Sequence, residues 1–394
     1  MGDAARPGAG VPHRYQVVLL GPGAAGEHAL CQVLLERSKL LGLGAGELVI
    51  LTAESFKQCD RRAPMVAVYI AGKGQAAADD QIAAQFVRDG LPVLPMVPTV
   101  DPYKPHVPAC LHGVNTRPYP PTDEHRAQVA SWVMEELGLQ RPHRQLFLSY
   151  RRSESRSAAE QLYHALDERS FRVFLDTHSI PSGKLFDPWI HNWIAEAEVL
   201  ILLGTPSVFG SDWVQLEVSR AEELGVGVLY VVWPGAPESV EKGFFAKHYL
   251  KASDFDGEPN SAETHLHEQA ITEIIAQAET LRARSFAARQ ARIVGALCRR
   301  LEARGLGFHR TVHRFVEVDR PDGVGRRVYP VVGRPDTIMM EKVHKESNPQ
   351  GRAACLLYDA RGIHPEHRLH LDWLSDFAPV PVFSIQQADE WVLK

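Results

Sequence analysis

Short apolar runs of strand length recur along this chain, and helix-length amphipathic stretches separate them. The runs VVLL, LVIL, VLILL and VLYVVW are the clearest. Each fits a strand buried on both faces, and strands alternating with helices predict parallel sheets flanked by helices. None of the runs approaches the ~20 residues of a membrane-spanning helix, so no membrane span is expected. The opening stretch MGDAARPGAGVPH has no apolar core of a secretory signal, and Arg6 stands where a myristoylation pattern needs Ser or Thr. Its five cysteines, Cys31, Cys59, Cys110, Cys298 and Cys355, are odd in number and form no CxxC pair. They read as reduced thiols of a cytoplasmic protein, with no structural zinc. With 394 residues, 45% hydrophobic and 23% charged, the chain is long enough for two or three globular domains, which excludes wholesale disorder and a disulfide scaffold.

The runs group into three α/β segments. Residues 1–13, rich in Gly, Ala and Pro, read as a flexible tail. Residues 14–140 hold expected strands at Tyr15–Leu20, Leu48–Thr52, Met65–Ile70 and Pro92–Met96, with helices near Glu27–Leu41, Gln81–Asp89 and Glu124–Leu137. Residues 141–258 repeat the alternation, with strands at Leu146–Ser149, Arg172–Leu175, Val199–Leu203 and Gly227–Val232. Helices are expected at Ser157–Glu168, Asp187–Ala197 and Trp213–Glu223. Residues 259–394 open with two charged helices, broken near Arg284–Ser285, and close with a third α/β unit. Its strands lie near Tyr329–Val332, Ala354–Tyr358 and Val380–Ser384, with a helix at Pro365–Phe377.

The middle segment concentrates chemistry at its strand ends. The run Leu146–Ser149 is followed by Tyr150, Arg151 and Arg152, which sets a hydroxyl, an aromatic ring and two guanidiniums at a strand's carboxyl end. Open α/β sheets bind ligands at that edge, and paired arginines there suit a phosphate or pyrophosphate. The next strand delivers Asp176, and the loop Thr177–Phe186 carries Pro181, Gly183 and Lys184. Further on, Ser211 or Asp212 can cap a helix whose Trp213 and Glu217, four residues apart, share one face.

These residues resemble the TIR (Toll/interleukin-1 receptor) domain. The matching stretches are FLSYRRSES (147–155), VFLDTHSIPSGKLF (173–186) and TPSVFGSDWVQLE (205–217). SYRR and the Trp-x-x-x-Glu pair resemble the bacterial and axonal NAD-cleaving members more than the innate-immune adaptors. The resemblance implies a flavodoxin-like TIR domain between two further Rossmann-like α/β domains. It places the catalytic glutamate at Glu217, and the loop that mediates TIR–TIR assembly at 177–186. The family often has an acidic residue just before the loop glycine, where Pro181 and Ser182 stand here. In this reading Ser149, Tyr150, Arg151, Arg152, Asp176, Lys184, Phe186 and Trp213 bind substrate or shape its pocket.

The implied reaction cleaves the bond from ribose C1′ to nicotinamide nitrogen in NAD+, with NAD+ as substrate and no other cofactor or metal. The products are nicotinamide and ADP-ribose, or a cyclic ADP-ribose isomer. The family implies dormancy until a nucleotide, nucleic-acid or protein trigger at the flanking domains drives self-assembly, as in anti-phage defence. The alternative is a non-catalytic adaptor that recruits other TIR proteins. It predicts that Glu217→Gln leaves the biological effect intact.

Weaker signals lie outside the middle segment. Gly21–Gly26 spells G-x-G-x-x-G after a strand, a pattern that in other proteins cradles a pyrophosphate. Pro22 and the late position of Glu54 favour a structural turn, with dinucleotide binding or another ligand left open. From Leu281 to Arg352 there are 16 Lys/Arg against 7 Asp/Glu, an excess of +9 in a chain of net charge −5. A solvated or subunit-facing helix surface is the plain reading; a nucleic-acid trigger is the alternative. His364, His367 and His370 recur every three residues, a spacing that drifts around a helix and suits no tight metal site.

Overall fold

The structure is a computed structural model. It describes residues 15–41, 43–61, 63–74, 76–100, 102–119, 122–139, 144–169, 171–175, 192–236, 245–311, 315–319, 325–347, 353–361 and 363–388. The expected tail at 1–13 lies outside these residues. The chain divides into two compact units, residues 1–140 with 309–315, and residues 141–308 with 316–394.

The first unit is built on β1 (Tyr15–Leu20), β2 (Leu48–Thr52), β3 (Met65–Ile70), β4 (Val93–Val97) and β5 (Arg117–Pro118). Helices α1 (His28–Leu40), α2 (Ala77–Arg88) and α3 (Asp123–Glu136) accompany them. The strands pair in parallel in the order β2-β1-β3-β4-β5. Every residue of β3 is buried, as a strand covered on both faces requires. Val18, Leu20, Ala67, Tyr69 and Phe86 form the core of one face.

The second unit contains the central sheet. Its strands are β6 (Arg144–Ser149), β7 (Phe171–Leu175), β8 (Val199–Gly204), β9 (Gly227–Val232) and β10 (Phe245–Tyr249). Helix α4 (Arg152–Asp167) follows β6, and α5 (Asp212–Leu224) follows β8. All pairings are parallel, in the order β10-β9-β8-β6-β7. Counted from the first strand, this is the flavodoxin-like order 2-1-3-4-5, which reverses direction between β6 and β8. Two short strands, β11 (Phe255–Asp256) and β12 (His265–Leu266), pair antiparallel beyond it.

One helix, α6 (Glu268–Ala303), replaces the two helices expected between 261 and 301. Sequence reading takes the polar cluster at Arg284–Ser285 as a break, but the helix runs through it. Polar residues on this stretch turn inward and find partners there. Arg282, 1% exposed, pairs with the equally buried Glu198 at 2.5 Å. Ser285 Oγ donates to the Gly225 carbonyl at 3.1 Å and accepts the Gly227 N–H at 2.9 Å. The first half of α6 packs Ile271, Ile274, Ala278 and Leu281 into the core of the central sheet. Its second half packs Phe286, Ile293, Leu297 and Leu301 against the last sheet.

That last sheet takes the order β13-β14-β15-β16-β17. The strands are β13 (Phe308–Arg310), β14 (Val316–Val318), β15 (Arg326–Val331), β16 (Ala354–Tyr358) and β17 (Val382–Ser384). β15, β16 and β17 are parallel, with β14 antiparallel to β15. Helix α7 (Thr337–Ser347), absent from the sequence reading, and α8 (Pro365–Phe377) connect the parallel strands. The fold is therefore mixed α/β, with a flavodoxin-like central sheet preceded and followed in the chain by a further α/β sheet. No helix among the described residues is long and apolar enough to cross a membrane.

The arginines of α6 are drawn into the fold. Arg289, 6% exposed, donates to the carbonyls of Ala197 and Ala195 at 2.8 and 2.6 Å. Arg292 donates to the Leu224 carbonyl at 2.9 Å and pairs with Asp359 at 3.0 Å. These guanidiniums therefore meet carbonyl groups at helix C-terminal ends, where a cation complements the helix dipole. A solvated basic face is not what these two residues form.

Candidate active site

The strand order reverses between β6 and β8, and the crevice outside the carboxyl ends at such a reversal is where open α/β sheets hold ligands. Ser149 closes β6 there and is 2% exposed. Gly204 closes β8, followed by Thr205, which is fully buried. A side chain at Gly204 would displace the Tyr230 ring of β9, because its Cβ would lie 2.0 Å from that ring. That ring packs against the end of β8, with Phe209 at 5.8 Å centroid distance. Burial, with Tyr249 nearby, pushes the Tyr230 phenol up to about 12, so it stays neutral.

A tight turn at Val208–Gly210 leads from β8 into α5. Ser211 occupies the helix's N-cap position without a side-chain bond to the helix, and Asp212 begins the first turn. The helix ends on Gly225, whose φ of 69° is the left-handed C-cap geometry that favours glycine. This places Glu217 on the inward face, only 7% exposed, beside Val214, Val218 and Ala221. Its Oε2 accepts the Ser149 hydroxyl at 2.6 Å, across 68 residues of sequence. A short hydroxyl-to-carboxylate bond of this kind is charge-assisted and fixes the orientation of the acceptor.

The other residues singled out from sequence take distinct positions. Tyr150 is buried, 8% exposed. Arg151 occupies the N-cap position of α4 without a side-chain capping bond, and its guanidinium donates to the Ser207 carbonyl. Arg152, the first residue of α4, is exposed. Trp213 shares a face with Glu217 by spacing but stands at the rim, 52% exposed. Asp176, Lys184, Phe186 and the whole loop 177–186 lie outside the described residues. Thus Ser149 and Glu217 meet directly, and Arg151 stands beside the β8–α5 connection.

Sequence reading passed over Glu154 and gave Ser207 no role. Glu154 Oε2 accepts the Ser207 N–H at 3.3 Å, and its Oε1 accepts the Ser207 hydroxyl. Burial alone would raise the pKa of Glu154. Hydrogen bonds from the Ser207 hydroxyl and N–H, with the charge of Arg151, outweigh it and hold the carboxyl below its ordinary range. The signal in the sequence was Glu154 three residues after Arg151, on the same side of one helical turn. Among the described residues no group of three or more His, Cys, Asp or Glu could hold a metal ion.

The G-x-G-x-x-G turn of the first unit is packed shut. The Gly21 N–H donates to Asp79 Oδ1 at 2.8 Å, and the Gly23 N–H to the Ile70 carbonyl at 3.0 Å. A Cβ on Gly21, whose φ is 91°, would lie 2.4 Å from the Ile70 oxygen. These glycines serve the close approach of two backbones, and two of the amides a pyrophosphate would use are already bonded.

No curated protein matches the chain. A solved structure of a candidate phosphosugar isomerase from Silicibacter pomeroyi DSS-3 aligns over 71% of this chain and 88% of its own, at 11% identity. Its TM-score is 0.20, too low to inform the fold. The sequence itself is more telling: residues 146–269, which span the central sheet and the crevice with Ser149 and Glu217, match the family model of the TIR domain, and the chain therefore carries a TIR domain.

Proposed function

We propose that this protein is a TIR-domain NAD+ glycohydrolase. It cleaves the bond between ribose C1′ and the nicotinamide nitrogen, giving nicotinamide and ADP-ribose or a cyclic isomer. The observation that carries the reading is the Glu217 carboxylate, buried at the switch-point crevice and oriented by the Ser149 hydroxyl. Cleavage passes through an oxocarbenium-like ribose, as in glycoside hydrolysis. A fixed carboxylate beside C1′ stabilises that charge in a site that excludes water. Nicotinamide departs as a neutral ring, so its nitrogen needs no proton from a second acid. One carboxylate then suffices where a glycosidase uses two. Water or an adenine nitrogen of the same substrate then takes C1′, giving the hydrolysed or the cyclic product.

An unregulated enzyme of this kind would strip the cell of NAD+. The reading therefore includes a dormant form and an assembled, active form, with a trigger shifting the population between them. Self-association runs through TIR–TIR contacts at the loop 177–186, and NAD+ depletion on triggering is the anti-phage output. Tyr150, Arg152, Asp176, Lys184, Phe186 and Trp213 belong to the substrate pocket in this proposal.

The test is nicotinamide release by purified protein, followed by chromatography at low and high protein concentration and under forced clustering. Release that climbs steeply with concentration and vanishes in Glu217→Ala is the expected result. Full activity in a dilute monomer would remove the assembly gate, and silence even when clustered would leave an adaptor.

A further inference from the structure

Ser207 is held by each of its polar groups. Its N–H and hydroxyl both donate to the Glu154 carboxylate, and its carbonyl accepts from the Arg151 guanidinium. The two charged side chains also face each other, with Arg151 Nε 3.6 Å from Glu154 Oε1. Both are largely withdrawn from solvent, at 34% and 20% exposed. Arg151 further bonds Ser153 Oγ at 3.2 Å.

The local backbone is shaped for this grip. Ser155 departs from helical geometry, with φ −149° and ψ 29°, inside α4. Its N–H and hydroxyl both return to the Arg151 carbonyl, at 3.0 and 3.2 Å. The turn carrying Glu154 is thereby offset from the rest of the helix. On the other side, Gly210 leaves room for the guanidinium: a Cβ there would lie 3.2 Å from Arg151 Nη1. The connection so gripped is the one that delivers α5, and Glu217 stands ten residues after Ser207 in sequence.

We infer that Arg151 and Glu154 are positioning residues, a clamp on Ser207 that fixes the β8–α5 connection and, through it, the Glu217 carboxylate. An arginine at the mouth of such a crevice would otherwise be read as a diphosphate ligand. Here its guanidinium is already engaged by a carbonyl, a hydroxyl and a carboxylate, all from the protein. The effect on turnover rests on the glycohydrolase reading; the effect on the backbone does not.

Two measurements on the full chain test the clamp together. The first is the steady-state kinetics of nicotinamide release under forced clustering, for wild type, Glu154→Ala, Glu154→Gln and Gly210→Ala. The second is amide hydrogen exchange across 205–217 in the same proteins. Glu154→Ala should lower kcat about 10- to 100-fold, because a misplacement near 1 Å costs on the order of 10² in rate, with KM within about threefold. Glu154→Gln keeps one acceptor for Ser207 and should recover part of kcat. Gly210→Ala crowds the guanidinium by a few tenths of an ångström without removing a charge and should have the smallest effect of the three. Exchange at 207–213 should quicken in the same order.

A rise in KM at constant kcat would overturn the clamp and make these residues substrate ligands. Unchanged exchange in Glu154→Ala would overturn it as well. If wild type releases no nicotinamide yet exchange follows the expected order, the clamp stands and the glycohydrolase reading falls.

Discussion

The first sheet and the central sheet share one topology and put it to different uses. Both run 2-1-3-4-5, and both reverse between their first and third strands. In the first sheet the reversal is filled by backbone. Gly21 and Gly23 lie against Ile70 and Ala71, and a Cβ on Gly72 would lie 2.7 Å from the Gly23 nitrogen. In the central sheet the same place receives side chains, with Ser149 and Glu217 bonded at 2.6 Å. Topology makes the crevice, and the residues at the strand ends decide whether it becomes a site. A glycine-rich turn after the first strand is therefore poor evidence of a nucleotide; here it marks close packing.

The largest effect that would break this comparison is loss of Glu217. Glu217→Ala should reduce nicotinamide release by about 10³-fold, the order seen when a pre-organised charge-stabilising group is removed. Its thermal stability should fall modestly, because the buried Ser149 hydroxyl loses its acceptor, a cost of about 1–3 kcal/mol. Retained release would make the central crevice as inert as the first.

The next effect is on stability. The second unit depends on α6, whose Arg282 forms the most buried ion pair among the described residues with Glu198, both 1% exposed. Burial disfavours the arginine's charge, but Glu198 and Glu279 outweigh that and raise its pKa further. Arg282→Met strands Glu198 in the core and should cost about 3–5 kcal/mol by denaturant unfolding. A loss under 1 kcal/mol, within the surface range, would show water reaching Glu198.

A smaller effect sharpens the other half of the comparison. Gly21→Ala forces a side chain into positive φ against the Ile70 carbonyl and should cost roughly 2 kcal/mol, with nicotinamide release unchanged. A variant that instead lost an NAD+ binding event, seen by calorimetry in wild type, would make the turn a nucleotide site after all.

The smallest is a pH dependence. His248 is 8% exposed, and burial depresses its pKa, partly offset by Glu273 and Asp254. Its Nδ1 lies 2.9 Å from the Gln277 amide nitrogen. The unfolded chain then binds a proton more readily than the folded one. The stability that this neutral histidine supports is present above its unfolded pKa of ~6.5, and falls as pH drops through that value. His248→Gln should flatten the stability profile between roughly pH 6.5 and 5, where unfolded histidine titrates. An unchanged profile would assign the acid limb to other groups.

The elements legible in sequence were those whose burial is continuous. Tyr15–Leu20, Leu48–Thr52, Met65–Ile70, Gly227–Val232 and Ala354–Tyr358 stand as strands within the bounds that their apolar runs suggest. Elements with thin burial escaped. Helix α7 buries only Met340, Val343 and Ser347, and β5 is a two-residue edge strand. The break placed at Arg284–Ser285 failed for a related reason. Polar side chains look like solvent-facing punctuation until the groups they meet, Glu198, Gly225 and Ala197, are brought from 60 to 92 residues away.

The sequence alone determined the α/β alternation, the TIR stretches and Glu217 as the residue to watch. Period, β-branched runs and motif spacing are local, and each is written within a few residues. Only the tertiary structure decided which side chains share the crevice. Ser149 reaches Glu217 because β6 and β8 are neighbours in the sheet, and Glu154 reaches Ser207 across the same edge. It also decided that the G-x-G-x-x-G turn is filled, because the Ile70 and Ala71 carbonyls that close it belong to another strand's end. Contacts between segments far apart in the chain depend on strand order and on what else occupies the space, and no local pattern records either.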